Sequence, residues 1–319
     1  MSKILQYELW QECNNHCIYC TLGRNNIKTP DEMKINAINT AISEISQLVE
    51  GEVSVLGFVG GEFFQGQLHS EDVKCAFMRL ISTANSLLNK GVIKELWLNA
   101  TMTIGNQDDL YETINKIDHK DRLWILTSYD KTGRFHNTDM FATWCYNMDK
   151  LSTVYPEIKK NTTAIITGDF IEDYMSDVFD KHYFETMHNT KLFLKTPVKP
   201  DDMCDMKKEQ INEKFGYNFF PREIDFMKFL MKYHEKEGDT DFKNLFSNDL
   251  KAEELHKNYN DVELRNITFT RNSDYSESLD CDESIKAIEH LKCGHSNIYQ
   301  CFVDSDSCAI CCKQLIMTL

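Results

Sequence analysis

Three cysteines near the start of the chain, Cys13, Cys17 and Cys20, stand within eight residues as Cys-x3-Cys-x2-Cys. Three thiolates on so short a loop can wrap one corner of an iron–sulfur cubane and leave its fourth iron without a protein ligand. An open iron can bind and cleave a small molecule, which a fully ligated electron carrier cannot do. Zinc competes for the same thiols but usually wants a fourth ligand. His16 is the nearest one, inside the tight loop. A disulfide reading is weaker, because the N-terminus carries no signal-like pattern and no secretory context is visible. Plain structural thiols are the remaining alternative.

A second motif, Gly60-Gly61-Glu62, closes the apolar run from Val53 to Val59, about forty residues beyond the cysteines. Consecutive glycines let a backbone approach a ligand closely, and a carboxylate beside them can accept hydrogen bonds from an ammonium group. An ordinary strand-ending turn is the plain reading of the same residues.

Taken together, the cysteine spacing, the aromatic Tyr19 directly before Cys20, and Gly-Gly-Glu after a buried strand resemble the radical S-adenosylmethionine (radical SAM) enzymes. The resemblance implies a [4Fe-4S] cluster on Cys13, Cys17 and Cys20, S-adenosylmethionine as second cofactor, and a six-stranded partial (β/α)6 barrel of TIM type. It implies that Gly60, Gly61 and Glu62 hold the methionyl amine and that Tyr19 neighbours the adenine. The implied chemistry is reductive cleavage of S-adenosylmethionine to a 5′-deoxyadenosyl radical, which abstracts hydrogen from a substrate. A reductant such as flavodoxin or ferredoxin is the implied partner.

The chain has 319 residues, of which 42% are hydrophobic, enough for one large domain or a barrel with an appendage. No apolar run reaches the length of a membrane span, so a soluble, cytoplasmic protein is expected. Thirty-five basic against 50 acidic side chains leave a net charge of −15, a surface that repels phosphate backbones and makes non-specific nucleic-acid binding an unfavourable function. Most of the 12 cysteines fall in two clusters, one at each end, which fits metal better than scattered disulfides.

The elements that must position the motifs alternate between strand and helix. Strands are expected over 4–10, 53–59, 94–99, 123–127, 162–167 and 191–196. A helix follows the first strand, opened by Thr29-Pro30 as a capping box and buried along Ile35, Ile38, Ile42, Ile45 and Val49. A second begins near Ser70, buries Val73, Phe77, Leu80, Ala84 and Leu87, and stops at Gly91; others are expected over 107–117 and 172–187. Such alternation predicts a parallel sheet with helices outside it, and both motifs then fall on the rim formed by the C-terminal strand ends. Residues 1–200 read as the barrel, 201–275 as a charged helical insertion or cap ending in a strand over 262–270, and 276–319 as a small Cys-rich metal-binding segment.

Further contacts follow from the resemblance. Ser128 and Asn99, with Thr101 beside it, hold positions where the family meets the cofactor's ribose or carboxylate, and Arg134 has the planar fork of a carboxylate clamp. Ile166 matches a strand-five isoleucine that packs on the adenine, and reads equally as plain core. At the other end, Cys293, His295, Cys301, Cys308 and Cys311 read as a zinc knuckle, or by resemblance as a Twitch or SPASM hairpin carrying an auxiliary iron–sulfur cluster. An auxiliary cluster favours a peptide or protein substrate, whereas zinc leaves a nucleotide or small metabolite equally open. A non-catalytic metal-binding scaffold is the reading from a different class.

Overall fold

A computed structural model describes residues 3–20, 28–66, 69–135, 137–195, 197, 206–237 and 261–266. Seven strands form one parallel sheet: β1 (Lys3–Glu8), β2 (Val55–Val59), β3 (Glu95–Asn99), β4 (Leu123–Tyr129), β5 (Lys159–Ile165), β6 (Lys191–Lys195) and β7 (Asp261–Asn266). Their order is β6-β5-β4-β3-β2-β1-β7, with β6 and β7 at the two edges. The result is an open α/β partial barrel. The six expected strands are all present, and a seventh joins them: the strand expected at the end of the insertion pairs in parallel with β1, from Lys3 against Asp261 to Glu8 against Asn266.

Helices α1 (Asp31–Ile45), α2 (Glu71–Asn89), α3 (Asp108–Asn115), α4 (Thr138–Val154), α5 (Gly168–Met175) and α6 (Lys181–Met187) fill the crossovers, and α7 (Lys208–Phe215) and α8 (Glu223–Glu237) precede β7. The apolar alternation of β3 and β4 sends Leu96, Leu98 and Ile125, all 0% exposed, into one core under α2 to α4. On α2 the expected stripe is buried as read, and the Ser70 side chain caps the helix by accepting from the Val73 amide. Among the described residues, no helix is long and apolar enough to cross a membrane.

Several expectations need correction. Helix α4 has no counterpart in the sequence reading, although Asn137 caps it and Trp144, Met148 and Leu151 form its buried stripe. The single helix expected over 172–187 is two. Asp177 turns into the left-handed region at φ 57°, and the Asp180 side chain caps α6 through the Tyr183 amide. On α1 the cap position is Pro30, with no side-chain hydrogen bond, because Thr29 is drawn inward and gives its amide to the Glu12 carboxylate at 3.3 Å. Ile35 and Ile42 are only partly buried, and Val49 lies beyond the helix and is 63% exposed. Ile38 and Ile45 are buried as read, joined by Lys34, Ala37 and Ala41. Ser128 sits within β4 rather than after it.

Trp144 ties α4 to the sheet: it is fully buried, donates from Nε1 to Thr127 Oγ1 at 3.3 Å, and meets Tyr129, Phe135 and Phe184. Trp144→Ala removes this packing and leaves a cavity. A loss of about 3–5 kcal/mol is expected in urea unfolding, with Trp144→Phe clearly less costly.

Candidate functional site

The cysteine loop follows β1 and is hydrogen-bonded to the turn that follows β2. Leu9 donates to the Val59 carbonyl at 3.2 Å, Gly61 to Trp10 at 2.7 Å and Glu62 to Glu12 at 2.9 Å, so strand pairing continues past both strands. Gly60 has φ +139°, a conformation that side chains rarely adopt. A Cβ there would collide with the Trp10 carbonyl, and one at Gly61 with the Glu12 carbonyl. The glycines thus admit the backbone of the cysteine loop, a use the sequence reading did not foresee.

Behind the loop lies a buried polar network whose members are far apart in sequence. Lys34, with a fully buried side chain, pairs with Glu12 at 2.7 Å. It also lies 3.2 Å from His69 Nδ1, while His69 Nε2 is 3.1 Å from the Glu62 carbonyl. Since Lys34 can only donate and a carbonyl can only accept, His69 is the neutral tautomer with its proton on Nε2. Burial, reinforced by the Lys34 charge, lowers the His69 pKa and maintains that state. Trp10 Nε1 donates to the same Glu62 carbonyl at 3.2 Å.

The Glu62 carboxylate, 1% exposed, faces the rim. It accepts from the Phe64 amide at 2.9 Å and from the Thr101 amide at 2.6 Å, which joins the end of β2 to the loop after β3. Burial pushes its pKa up, against these hydrogen bonds. A carboxylate has about four lone-pair sites, so two backbone bonds leave acceptor capacity for an ammonium group. The loop it holds is itself strapped down: Asn147 of α4 donates from Nδ2 to the Met102 and Ile104 carbonyls at 2.9 and 2.8 Å, with Met102 at φ 59°.

The Thr101 carbonyl accepts from Arg134 Nη2 at 2.9 Å, and Arg134 Nη1 reaches Cys17 Sγ at 3.7 Å. Arg134 therefore belongs to the cysteine loop's surroundings. Cys17 is 4% exposed, and burial raises its pKa while Arg134 opposes the rise. Burial pushes the Cys13 thiol up to about 12, although the Asn15 amide donates to its sulfur at 3.4 Å. These thiols give up their protons when a metal takes their place.

Tyr19 lies parallel to Phe219, with ring centroids 6.5 Å apart, and its buried hydroxyl faces Arg134 and Cys17. Ile18 joins Ile211, Phe219 and Phe220 in a second apolar cluster, so the segment carrying α7 covers the cysteine loop. The close approach is made possible by Gly168, whose amide donates to Asn218 at 2.7 Å and where a Cβ would stand 2.6 Å from that of Asn218. Sequence reasoning allowed a cap within 201–275 but did not single out the aromatic run from Tyr217 to Phe220. It also missed Asp130, buried at the end of β4 and pushed up to about 6 by burial. Asn99 and Ser128 share the half-buried face of the sheet, turned away from the core. Ile166 is 0% exposed within the core, which is the plainer of its two readings. Cys293, His295, Cys301, Cys308 and Cys311 lie outside the described residues.

Three thiols on one loop, two of them meeting an N–H donor, form a soft donor set suited to iron–sulfur or zinc. Among the described residues, no three His, Cys, Asp or Glu side chains converge as a set for one metal ion. A cluster corner makes a different demand, since each thiolate binds a separate iron. Asn15 Nδ2 and Arg134 Nε are buried beside the loop without partners. The rim fits a cofactor that brings acceptors.

No family model matches the chain, and no curated protein does. Among solved structures, the chain is similar to Streptococcus suis SuiB bound to S-adenosylmethionine, at 12% identity and a TM-score of 0.42, over 74% of this chain and 45% of that one. It is also similar to HydG, a maturase of the [FeFe]-hydrogenase, at 13% identity and a TM-score of 0.43, over 73% of this chain and 49% of that one. The chain spans about half the length of either structure.

The Glu12–Lys34 pair should behave as a buried ion pair. Lys34→Met strands the Glu12 charge and the acceptor of His69, and should cost about 3–5 kcal/mol in urea unfolding. Adding Glu12→Gln should recover a good part of that loss, whereas a double variant as costly as the sum of the two singles would show that the residues act independently.

Proposed function

We propose that this chain is a radical S-adenosylmethionine enzyme. The observation that carries the proposal is the direct hydrogen bonding of Gly61 and Glu62 to Trp10 and Glu12, the residues that lead into Cys13, on the rim where a parallel α/β barrel places its chemistry. A bland strand-ending turn has no need to be clamped to a loop bearing three thiols.

In this reading Cys13, Cys17 and Cys20 hold a [4Fe-4S] cluster. When bound, that cluster supplies one electron to S-adenosylmethionine, whose carbon–sulfur bond breaks to methionine and a 5′-deoxyadenosyl radical. The protein's own part is positioning and exclusion of water. The turn at Gly60 to Glu62 receives the methionyl amine, with the Glu62 carboxylate held in place by the amides of Phe64 and Thr101. Tyr19 lies against the adenine, and Asn99 and Ser128 serve the ribose and carboxylate from the sheet. The cover formed by Ile211, Phe219 and Phe220 keeps the cysteine loop dry. A flavodoxin or ferredoxin is the proposed electron donor, and the protein is proposed to work in the cytoplasm.

Anaerobically reconstituted protein, reduced with dithionite, should convert S-adenosylmethionine to 5′-deoxyadenosine, slowly without substrate. The variant with all three cysteines replaced by alanine should lose both the cubane absorbance and this product. An intact cluster in the wild type with no product above the triple variant would overturn the enzymatic reading and favour a metal-binding scaffold.

A peptide or protein is the proposed substrate class, resting on the C-terminal residues Cys293, His295, Cys301, Cys308 and Cys311 as an auxiliary cluster site. Iron and zinc should be counted per chain, before reconstitution, in the wild type and in a Cys308→Ala, Cys311→Ala variant. Loss of about four irons is expected. Loss of zinc instead would move the substrate toward a nucleotide or small metabolite, and equal metal content would exclude a site there.

A further inference from the structure

We propose that Arg134 is the fixed counter-charge of the cysteine loop, pairing with the Cys17 sulfur and raising the reduction potential of the cluster held there; this rests on the cluster assignment proposed above. The guanidinium is only 6% exposed. It reaches Cys17 Sγ at 3.7 Å and the Thr101 carbonyl at 2.9 Å, the Tyr19 hydroxyl lies against it, and its Nε is buried without a partner. The neighbouring carboxylate, Asp130, accepts from the amides of Thr132 and Gly133 at 3.2 and 3.0 Å rather than from the guanidinium.

An arginine does not shed its proton in a protein, so this is an obligate cation in a low-dielectric setting. Such a charge is costly to bury unless an anion meets it. The group facing Nη1 is a sulfur, and a metal-bound cysteine is a thiolate. That thiolate adds a negative charge in direct contact with Nη1, beyond the field of the Asp130 and Glu62 carboxylates, and the pair forms when the cluster does. Taking up an electron makes the cluster more negative. A cation fixed against one of its sulfurs therefore favours the reduced state, because net charge and hydrogen bonds to sulfur set such potentials. Arg134 acts as a positioning and tuning residue here. Through Thr101 it is also linked to Glu62, since Arg134 binds that residue's carbonyl and its amide donates to the Glu62 carboxylate.

The test is a redox titration of the cluster's paramagnetic signal, without S-adenosylmethionine, in wild type, Arg134→Lys and Arg134→Gln, with iron and sulfide measured in each. Arg134→Gln should shift to a more negative midpoint than wild type at equal iron content, with Arg134→Lys recovering most of the shift. An unchanged midpoint in Arg134→Gln would overturn the proposal. So would a fall in S-adenosylmethionine affinity with no change in midpoint, which would assign Arg134 to the ligand's carboxylate. If Arg134→Gln does not retain the cluster, retention in Arg134→Lys supports the charge, and loss from both variants counts against it. A wild type that binds no cubane would overturn this proposal together with the cluster reading, whereas a cubane with an insensitive midpoint defeats this proposal alone.

Discussion

Two backbone hydrogen bonds beyond the end of the sheet hold the rim together: Gly61 to the Trp10 carbonyl and Glu62 to the Glu12 carbonyl. They extend the β1–β2 pairing into what would otherwise be two independent loops. Both depend on bare backbone, since a side chain at Gly60 or Gly61 would occupy the space of the carbonyls it meets. From this seam the other contacts spread outward. The Glu62 carbonyl collects Trp10 and His69, its carboxylate collects Phe64 and Thr101, and Thr101 in turn receives Arg134. The thiols are presented from a frame built of backbone amides and carbonyls, which can be placed more rigidly than side chains alone.

Burial sets the electrostatic character of that frame. Lys34, Glu12, Glu62, Asp130 and Arg134 are all nearly inaccessible. Low dielectric strengthens each interaction among them and raises the cost of any that is missing. The Glu12–Lys34 pair is satisfied within the protein. Around the loop itself, Asn15 Nδ2 and Arg134 Nε are left over.

The sequence was informative where a signal was local. Cysteine spacing, the two glycines, the Ser70 cap and the α2 stripe needed no knowledge of distant residues, and the alternation of strand and helix was enough to read a parallel sheet. It was less informative where partners lie far apart. Lys34 interrupts an apolar stripe, and only the fold brings it to Glu12 and, 35 positions later, to His69. Helix α4 was overlooked because threonine, aromatic and methionine residues dilute its pattern, although Asn137 and the spacing of Trp144, Met148 and Leu151 were there to be found. Arg134 was legible as a fork for an acidic group. That the group in front of it is Cys17, 117 positions away, required the structure.

The central claim is that the cysteine loop carries a cluster with an open iron facing the Gly-Gly-Glu turn. The most direct measurement is electron–nuclear double resonance on the reduced cluster with S-adenosylmethionine labelled with nitrogen-15 at the amine and oxygen-17 at the carboxylate. Hyperfine coupling to both labels, lost when any of the three cysteines is replaced, is expected. A reduced cluster whose spectrum is unaffected by the labelled compound would contradict the claim.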